Sequence, residues 1–303
     1  MRFALLSIVT FFAAGCAAQP PVAPAAAGPC GAARPFAAGG ERATLWVRNS
    51  SEFRAASEGI YRNALMALER NLANTSWSAE PGQVGSLDAL PPAIVMDIDD
   101  TVLDNSEPQA RMILAETCPD QFAAAWDAWV AERAAPAVPG AAGFIRAARA
   151  MKDPKGRPVR IFFITNRECG RRAGDDSGCP QETDTAENLR TLGLDAPTLA
   201  EDLMLKGERP DWPSEKISRR MAVAYGHRIV LNVGDDFGDF LPDVRRQSVV
   251  ERERARCAHR DRWGTHWFLI PNPMYGSWQN VMGPDLEALL AAKPGVDLDC
   301  SAH

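Results

Sequence analysis

Several things are scarce in this chain, and each scarcity excludes something. Histidine occurs four times in 303 residues, as the scattered His227, His259, His266 and His303. The seven cysteines fall at no spacing that resembles a zinc site. Positive charge is outweighed, with a formal net charge of -6. That balance argues against a nucleic-acid polymer as the main partner, because binding a phosphate backbone calls for surplus Lys and Arg. No apolar run reaches the roughly 20 residues that a membrane-spanning helix needs. No internal repeat is visible. What remains is an ordinary globular composition, 46% apolar, long enough for one large domain or two small ones.

The N-terminus reads as an export signal rather than as fold. Arg2 is followed by a short apolar run from Phe3 to Ala14, then by small residues. Ala13-Ala14-Gly15-Cys16 resembles a bacterial lipobox, in which Cys16 is lipidated and becomes the mature N-terminus. Ala13 departs from the leucine that motif prefers, and a plain cleaved signal peptide is the alternative. Ala17 is not the aspartate that retains lipoproteins at the inner membrane, so the expected address is the outer membrane, facing the periplasm or surface. Residues 1–16 are thus a signal and lipobox, and the stretch over 17–45, rich in Ala, Pro and Gly, is a tether. The folded domain is expected over 46–303, with a helical subdomain at roughly 104–138 plus the chain ends. Six cysteines follow Cys16, an even number that in an exported protein suggests disulfides. Cys169 and Cys179, bracketing a Gly- and Asp-rich loop, are the favoured pair.

Apolar periodicity predicts a helix from about Ser51 to Leu72, and others around Trp126–Trp129, Phe144–Met151 and Thr185–Leu192, the last closed by Gly193. Ser214 reads as the N-cap of a helix carrying Lys216, with Gly226 as its stop. Short apolar runs predict strands at Ala93–Ile98, Val159–Ile164, Leu203–Leu205, Ile229–Val233 and Trp267–Ile270. Strands alternating with helices give an α/β fold with a mainly parallel, Rossmann-like sheet.

The first of those strands ends in Asp97-Ile-Asp99-Asp-Thr101. Carboxylates at a buried strand's end are costly to desolvate unless they bind a metal or do chemistry. The next strand ends in Thr165-Asn166-Arg167. Lys216 stands near a helix start, and the Ile229–Val233 strand runs into Gly234-Asp235-Asp236-Phe237-Gly238-Asp239. Parallel connectivity would bring all four segments to one edge of the sheet. Each residue type suits phosphoryl transfer. One carboxylate attacks phosphorus, and a second protonates the leaving oxygen and later deprotonates water. A hydroxyl and an ammonium hold phosphate oxygens, and further carboxylates hold Mg²⁺. Lys206, just after a short strand, competes with Lys216 for the cationic role.

This ordered set resembles the haloacid dehalogenase (HAD) superfamily. The resemblance implies that Asp97 is the nucleophile, Asp99 the general acid/base, Thr165 and Lys216 the second and third motif residues, and Asp97, Asp99 and Asp235 the Mg²⁺ site, with Asp236 or Asp239 assisting. It narrows further. Asp97 to Ser106, Trp126-x-x-Trp129, Pro139-Gly140-Ala141, Thr165-Asn166-Arg167 and Pro271-Asn272-x-x-Tyr275-Gly276-x-Trp278 look like the class C acid phosphatases, the lipoprotein e(P4) family. Departures are Asp100, where that family has Glu, and the cysteine-bracketed loop. The resemblance implies hydrolysis of phosphomonoesters, including 5′-nucleotides and nicotinamide mononucleotide, with Asn166 and Arg167 binding substrate and Trp126 and Tyr275 clamping a planar ring. Without the resemblance, Trp126 and Trp129 read as core residues. No Arg-His-Gly triplet occurs, which argues against the histidine-nucleophile acid phosphatases. Two alternatives stand beside hydrolysis: a non-catalytic surface binding or storage protein on the same fold, and transfer of phosphate to alcohols.

Overall fold

The computed structural model describes residues 30, 39–175, 177–282, 286–291 and 300. Cys16, the signal segment and most of the tether lie outside the described residues. The helices are α1 (Glu41–Asn49), α2 (Ser51–Ala73), α3 (Ser106–Leu114), α4 (Phe122–Glu132), α5 (Ala141–Ala150), α6 (Pro180–Thr191), α7 (Leu199–Asp202), α8 (Ile217–Gly226), α9 (Val249–Ala258), α10 (Ser277–Asn280) and α11 (Leu286–Ala291). The strands are β1 (Pro92–Met96), β2 (Arg160–Glu168), β3 (Leu203–Lys206), β4 (Arg228–Gly234) and β5 (Trp267–Leu269).

All five strands pair in parallel in the order β3-β2-β1-β4-β5. Both faces are covered, as a parallel sheet requires. The pleat sorts β1 between two cores. Ile94 and Met96 pack with Leu68 of α2 and Ile145 of α5, whereas Ala93 and Val95 pack with Val223 of α8, Phe240 and Trp267. From β1 the chain returns to β2 on one side, and the later β4 pairs on the other. The crevice outside the carboxyl ends of β1 and β4 is therefore the switch point, where α/β sheets hold ligands.

Local sequence explains most boundaries. Ser50 caps α2 by accepting the Phe53 N–H at 3.0 Å. Gly193 ends the turn after α6 at φ +66°, a left-handed conformation suited to glycine. Three boundaries depart from expectation. α1 begins at Glu41, inside the range assigned to the tether, because Thr44 and Val47 give it a face to bury. α6 starts at Pro180, whose missing N–H costs nothing in a first turn. Ser214 does not cap α8. Lys216 is the N-cap residue and makes no side-chain capping bond, since its ammonium is committed elsewhere. Disulfides join Cys30–Cys118, Cys169–Cys179 and Cys257–Cys300.

Candidate active site

β1 carries Asp97 to the sheet's edge, where its N–H donates to the Val233 carbonyl of β4 at 3.0 Å. Asp235 follows the end of β4, and a one-turn 3₁₀ helix, Phe237–Asp239, folds Asp239 back over that end. Gly234 makes the return possible, because a Cβ there would lie 2.3 Å from Asp239 Oδ2. The same Oδ2 accepts the Asp236 N–H at 2.9 Å. Asp97, Asp235 and Asp239 thus present carboxylate oxygens within 4.8 Å of one another. Asp236 is turned away from them and accepts N–H bonds from Gly238 and Ser277.

Lys216 is almost wholly buried. Its Nζ donates to Asp97 Oδ1 at 2.5 Å and to Asp239 Oδ1 at 2.7 Å. Lys206 pairs instead with Glu168 at 3.2 Å, away from the acids. Two buried arginines on α8 brace the surroundings. Arg219 donates to the Thr165 carbonyl at 2.5 Å and to Asn166 Oδ1 at 2.8 Å. Arg220 donates to the Asp239 carbonyl at 2.8 Å and pairs with buried Glu80 at 2.7 Å.

Three acids stand together and one ammonium pairs with two of them, Asp97 and Asp239, and the electrostatics follow from that. Burial pushes the Asp97 carboxyl up to about 7, against the pull of Lys216 and with repulsion from Asp239 and Asp99 added. Asp235 stands well above the usual range, again through burial, then through repulsion from Asp97 and Asp239. Burial disfavours the Lys216 ammonium, but Asp239 and Asp97 outweigh it and the pKa is raised. An all-oxygen donor set with surplus negative charge fits a hard divalent cation. Asp235 is pre-aimed for such a role, since Thr101 Oγ1 donates to its Oδ1 at 3.0 Å and Asn272 Nδ2 to its Oδ2 at 2.8 Å.

Asp99 points elsewhere. Its Oδ1 accepts Asn105 Nδ2 at 2.9 Å, Arg167 Nε at 3.0 Å and Arg167 Nη2 at 2.9 Å. Its Oδ2 accepts only the longer bonds, from Thr165 Oγ1 at 3.2 Å and Arg167 Nε at 3.4 Å. Arg167, expected among substrate contacts, is turned inward. It is 2% exposed and also donates to Thr185 Oγ1 of α6 at 2.9 Å. Asn166 is half-buried, with its Oδ1 held by Arg219.

Trp126 and Tyr275 are both half-buried beside these acids. The Arg167 guanidinium lies 6.0 Å from the Trp126 ring centroid. The Tyr275 hydroxyl donates to Asp100 Oδ2. Asp100 adopts φ +55°, unusual for a residue with a side chain, and its Oδ1 accepts the Asn105 N–H at 3.0 Å. Burial raises the Asp100 carboxyl to about 8, in spite of the bonds from Tyr275 and Asn105. Trp129 is a core residue whose Nε1 donates to Asn105 Oδ1 at 2.8 Å.

Two further residues of the site, Asn272 and Arg220, carry little functional signal in the sequence alone. Asn272 lies inside the Pro271–Trp278 motif, but its contact with Asp235 spans 37 positions. Arg220 left a faint signal, an adjacent pair of arginines in a helix whose neighbours are apolar.

The family model of the HAD superfamily, subfamily IIIB (Acid phosphatase), matches residues 63–278. The class C acid phosphatase from Bacillus anthracis with tungstate bound is 28% identical, with a TM-score of 0.64 over 85% of this chain and 98% of that one. A second structure of the Bacillus anthracis enzyme gives a TM-score of 0.63 at 28% identity over the same shares of the two chains. Against these matches, and with Asp97 in place beside Lys216, the reading as a non-catalytic storage protein gives way. The chain belongs to the acid phosphatases of HAD subfamily IIIB, and is a phosphomonoester hydrolase on the HAD-like α/β fold.

Proposed function

We propose that the enzyme is a Mg²⁺-dependent acid phosphatase acting on 5′-nucleotides, nicotinamide mononucleotide among them, through an aspartyl-phosphate. The observation that carries this reading is the convergence of Asp97, Lys216, Asp235 and Asp239 at the switch point of the sheet. Mg²⁺ would be held by Asp97, Asp235 and the Asp99 carbonyl oxygen, with Asp239 assisting. Bound there, it would offset the repulsion between the acids and an incoming phosphate.

The chain's own residues then divide the work. Asp97 attacks phosphorus, a bond from its carboxylate oxygen to phosphorus forms, and the bond to the leaving oxygen breaks. Asp99 gives its proton to that oxygen, then takes one from the water whose oxygen bonds phosphorus as the Asp97–phosphorus bond breaks, which frees Asp97 and releases inorganic phosphate. Oδ2, the less heavily bonded oxygen of Asp99, is the one free to carry that proton. Lys216 keeps Asp97 oriented and holds phosphate oxygens as a point charge. Thr165 Oγ1, which also accepts the Arg167 N–H at 3.0 Å, aims Asp99.

The nucleotide preference rests on Trp126 and Tyr275, two aromatic rings flanking the same acids. Stacking a base on an aromatic side chain contributes about 1–3 kcal/mol. Trp126→Ala and Tyr275→Ala should therefore each raise KM for adenosine 5′-monophosphate roughly 5- to 100-fold, and raise it much less for glycerol 2-phosphate. Steady-state kinetics on the two esters checks this, and equal losses on both would remove the clamp. We further infer a lipid anchor at Cys16 that places the enzyme at the outer membrane, supported by the lipobox-like Ala13–Cys16 and by three disulfides that suit an exported chain.

A further inference from the structure

The loop closed by Cys169–Cys179 sets this chain apart from the pattern it otherwise resembles, and it carries a contact that the proposed chemistry does not use. Arg172, in that loop, grips Asp127 with two parallel bonds, Nε to Oδ2 at 2.7 Å and Nη2 to Oδ1 at 2.8 Å. Its third nitrogen, Nη1, donates to Asp184 Oδ2 of α6 at 2.8 Å. Asp184 is 2% exposed and takes a second guanidinium, Arg133, at 2.7 Å. Gln181 of α6 completes the hold on Asp127, with Nε2 2.9 Å from Oδ1. Asp127 is the residue after Trp126 on α4. The Arg172 bonds hold the Asp127 carboxyl below its usual range, and bidentate guanidinium–carboxylate pairs fix orientation as well as distance.

The loop is itself fixed at both ends to the catalytic edge. Cys169 follows β2 and donates its N–H to the Lys206 carbonyl at 2.8 Å. Cys179 is the N-cap residue of α6, the helix whose Thr185 holds Arg167. The covalent link between Cys169 and Cys179 therefore fixes the span from which Arg172 reaches α4.

We propose that Arg172 is a positioning residue for substrate selection: held by the Cys169–Cys179 loop, it sets Trp126 through Asp127, and so tunes affinity for phosphate esters whose leaving group bears a planar ring. The proposal rests on the nucleotide reading of the Trp126 side of the site. No atom of Arg172 takes part in bond-making. Its loss should move KM for a ring-bearing ester and spare kcat.

The test is steady-state kinetics of the full-length enzyme on adenosine 5′-monophosphate and glycerol 2-phosphate. Arg172→Ala should raise KM for the nucleotide about tenfold, with kcat on either ester within about twofold of the parent. Arg172→Lys, which keeps the charge but lacks the fork, should recover only part of the loss. Asp127→Asn and the paired Cys169→Ser, Cys179→Ser variant should reproduce the nucleotide-selective rise. They also serve as independent reporters if Arg172→Ala folds poorly, as judged by melting temperature. An equal KM rise on both esters, or a fall in kcat alone, overturns the proposal and assigns Arg172 to general packing. Trp126→Ala separates the two levels. A KM rise there with none in Arg172→Ala overturns the positioning role alone. No KM rise in Trp126→Ala overturns the nucleotide reading and this proposal with it.

Discussion

Asp97 sits where burial and two neighbouring acids oppose its charge while Lys216 supports it, and its carboxyl is raised to about 7. A raised carboxyl stabilises the fold at low pH, and that contribution is lost as pH climbs from the unfolded value near 4 through about 7. Asn cannot titrate, so in chelator Asp97→Asn should gain in melting temperature on the parent between about pH 5 and about pH 8. Excess Mg²⁺ should shrink the gain, because the cation favours the charged carboxylate of the parent. The same variant should lose at least about 10⁴-fold in turnover, as removal of a nucleophile does. Melting curves and hydrolysis assays read both effects, and turnover within about tenfold of the parent would end the covalent mechanism. His266 contributes the opposite slope, its imidazole lowered to about 4 by burial and by Arg262 and Arg228. Comparing variant with parent cancels that term.

At the scale of elements, the site is made where helix and strand ends meet. α8 supplies Lys216 to the acids, Arg219 to the end of β2 and Arg220 to the turn after β4. The β4 turn depends on Gly234, since any side chain there displaces Asp239. Gly234→Ala should weaken Mg²⁺ binding about 10- to 100-fold, the usual range for disturbing a ligand's support, while the sheet survives. Calorimetric titration with Mg²⁺ checks this, and unchanged affinity would show that Asp239 gives way harmlessly. The Gly234-Asp235 step was legible as a motif, but its reason was not. The close approach of Asp239 depends on a 3₁₀ turn whose geometry the residue string does not reveal. Ser214 fails to cap α8 for a related reason. Its type suits a cap, but the helix start is governed by Lys216 reaching two carboxylates on other segments.

For the whole molecule, the three disulfides and the lipobox-like segment support the proposed reading of an exported, tethered enzyme. Cys30–Cys118 ties the chain's early part to the region between α3 and α4. Cys16→Ser should move the enzyme from the membrane fraction to the soluble one with kcat unchanged, since the converging acids and Lys216 all lie within residues 97–239. Fractionation followed by activity assay measures it, and retention at the membrane would rule out the lipid anchor. By itself, the sequence determined the alternation of strands and helices, the acids at the strand ends, and the family to which they belong. These are local matters of apolar period and residue type, readable along the chain. Only the tertiary structure decided between Lys216 and Lys206, turned Asp239 rather than Asp236 toward Asp97, and drew Arg167 inward onto Asp99. Each of those outcomes is a contact between groups far apart in the chain. Strand order and the return of a turn bring such groups to hydrogen-bonding distance, and no local pattern encodes that.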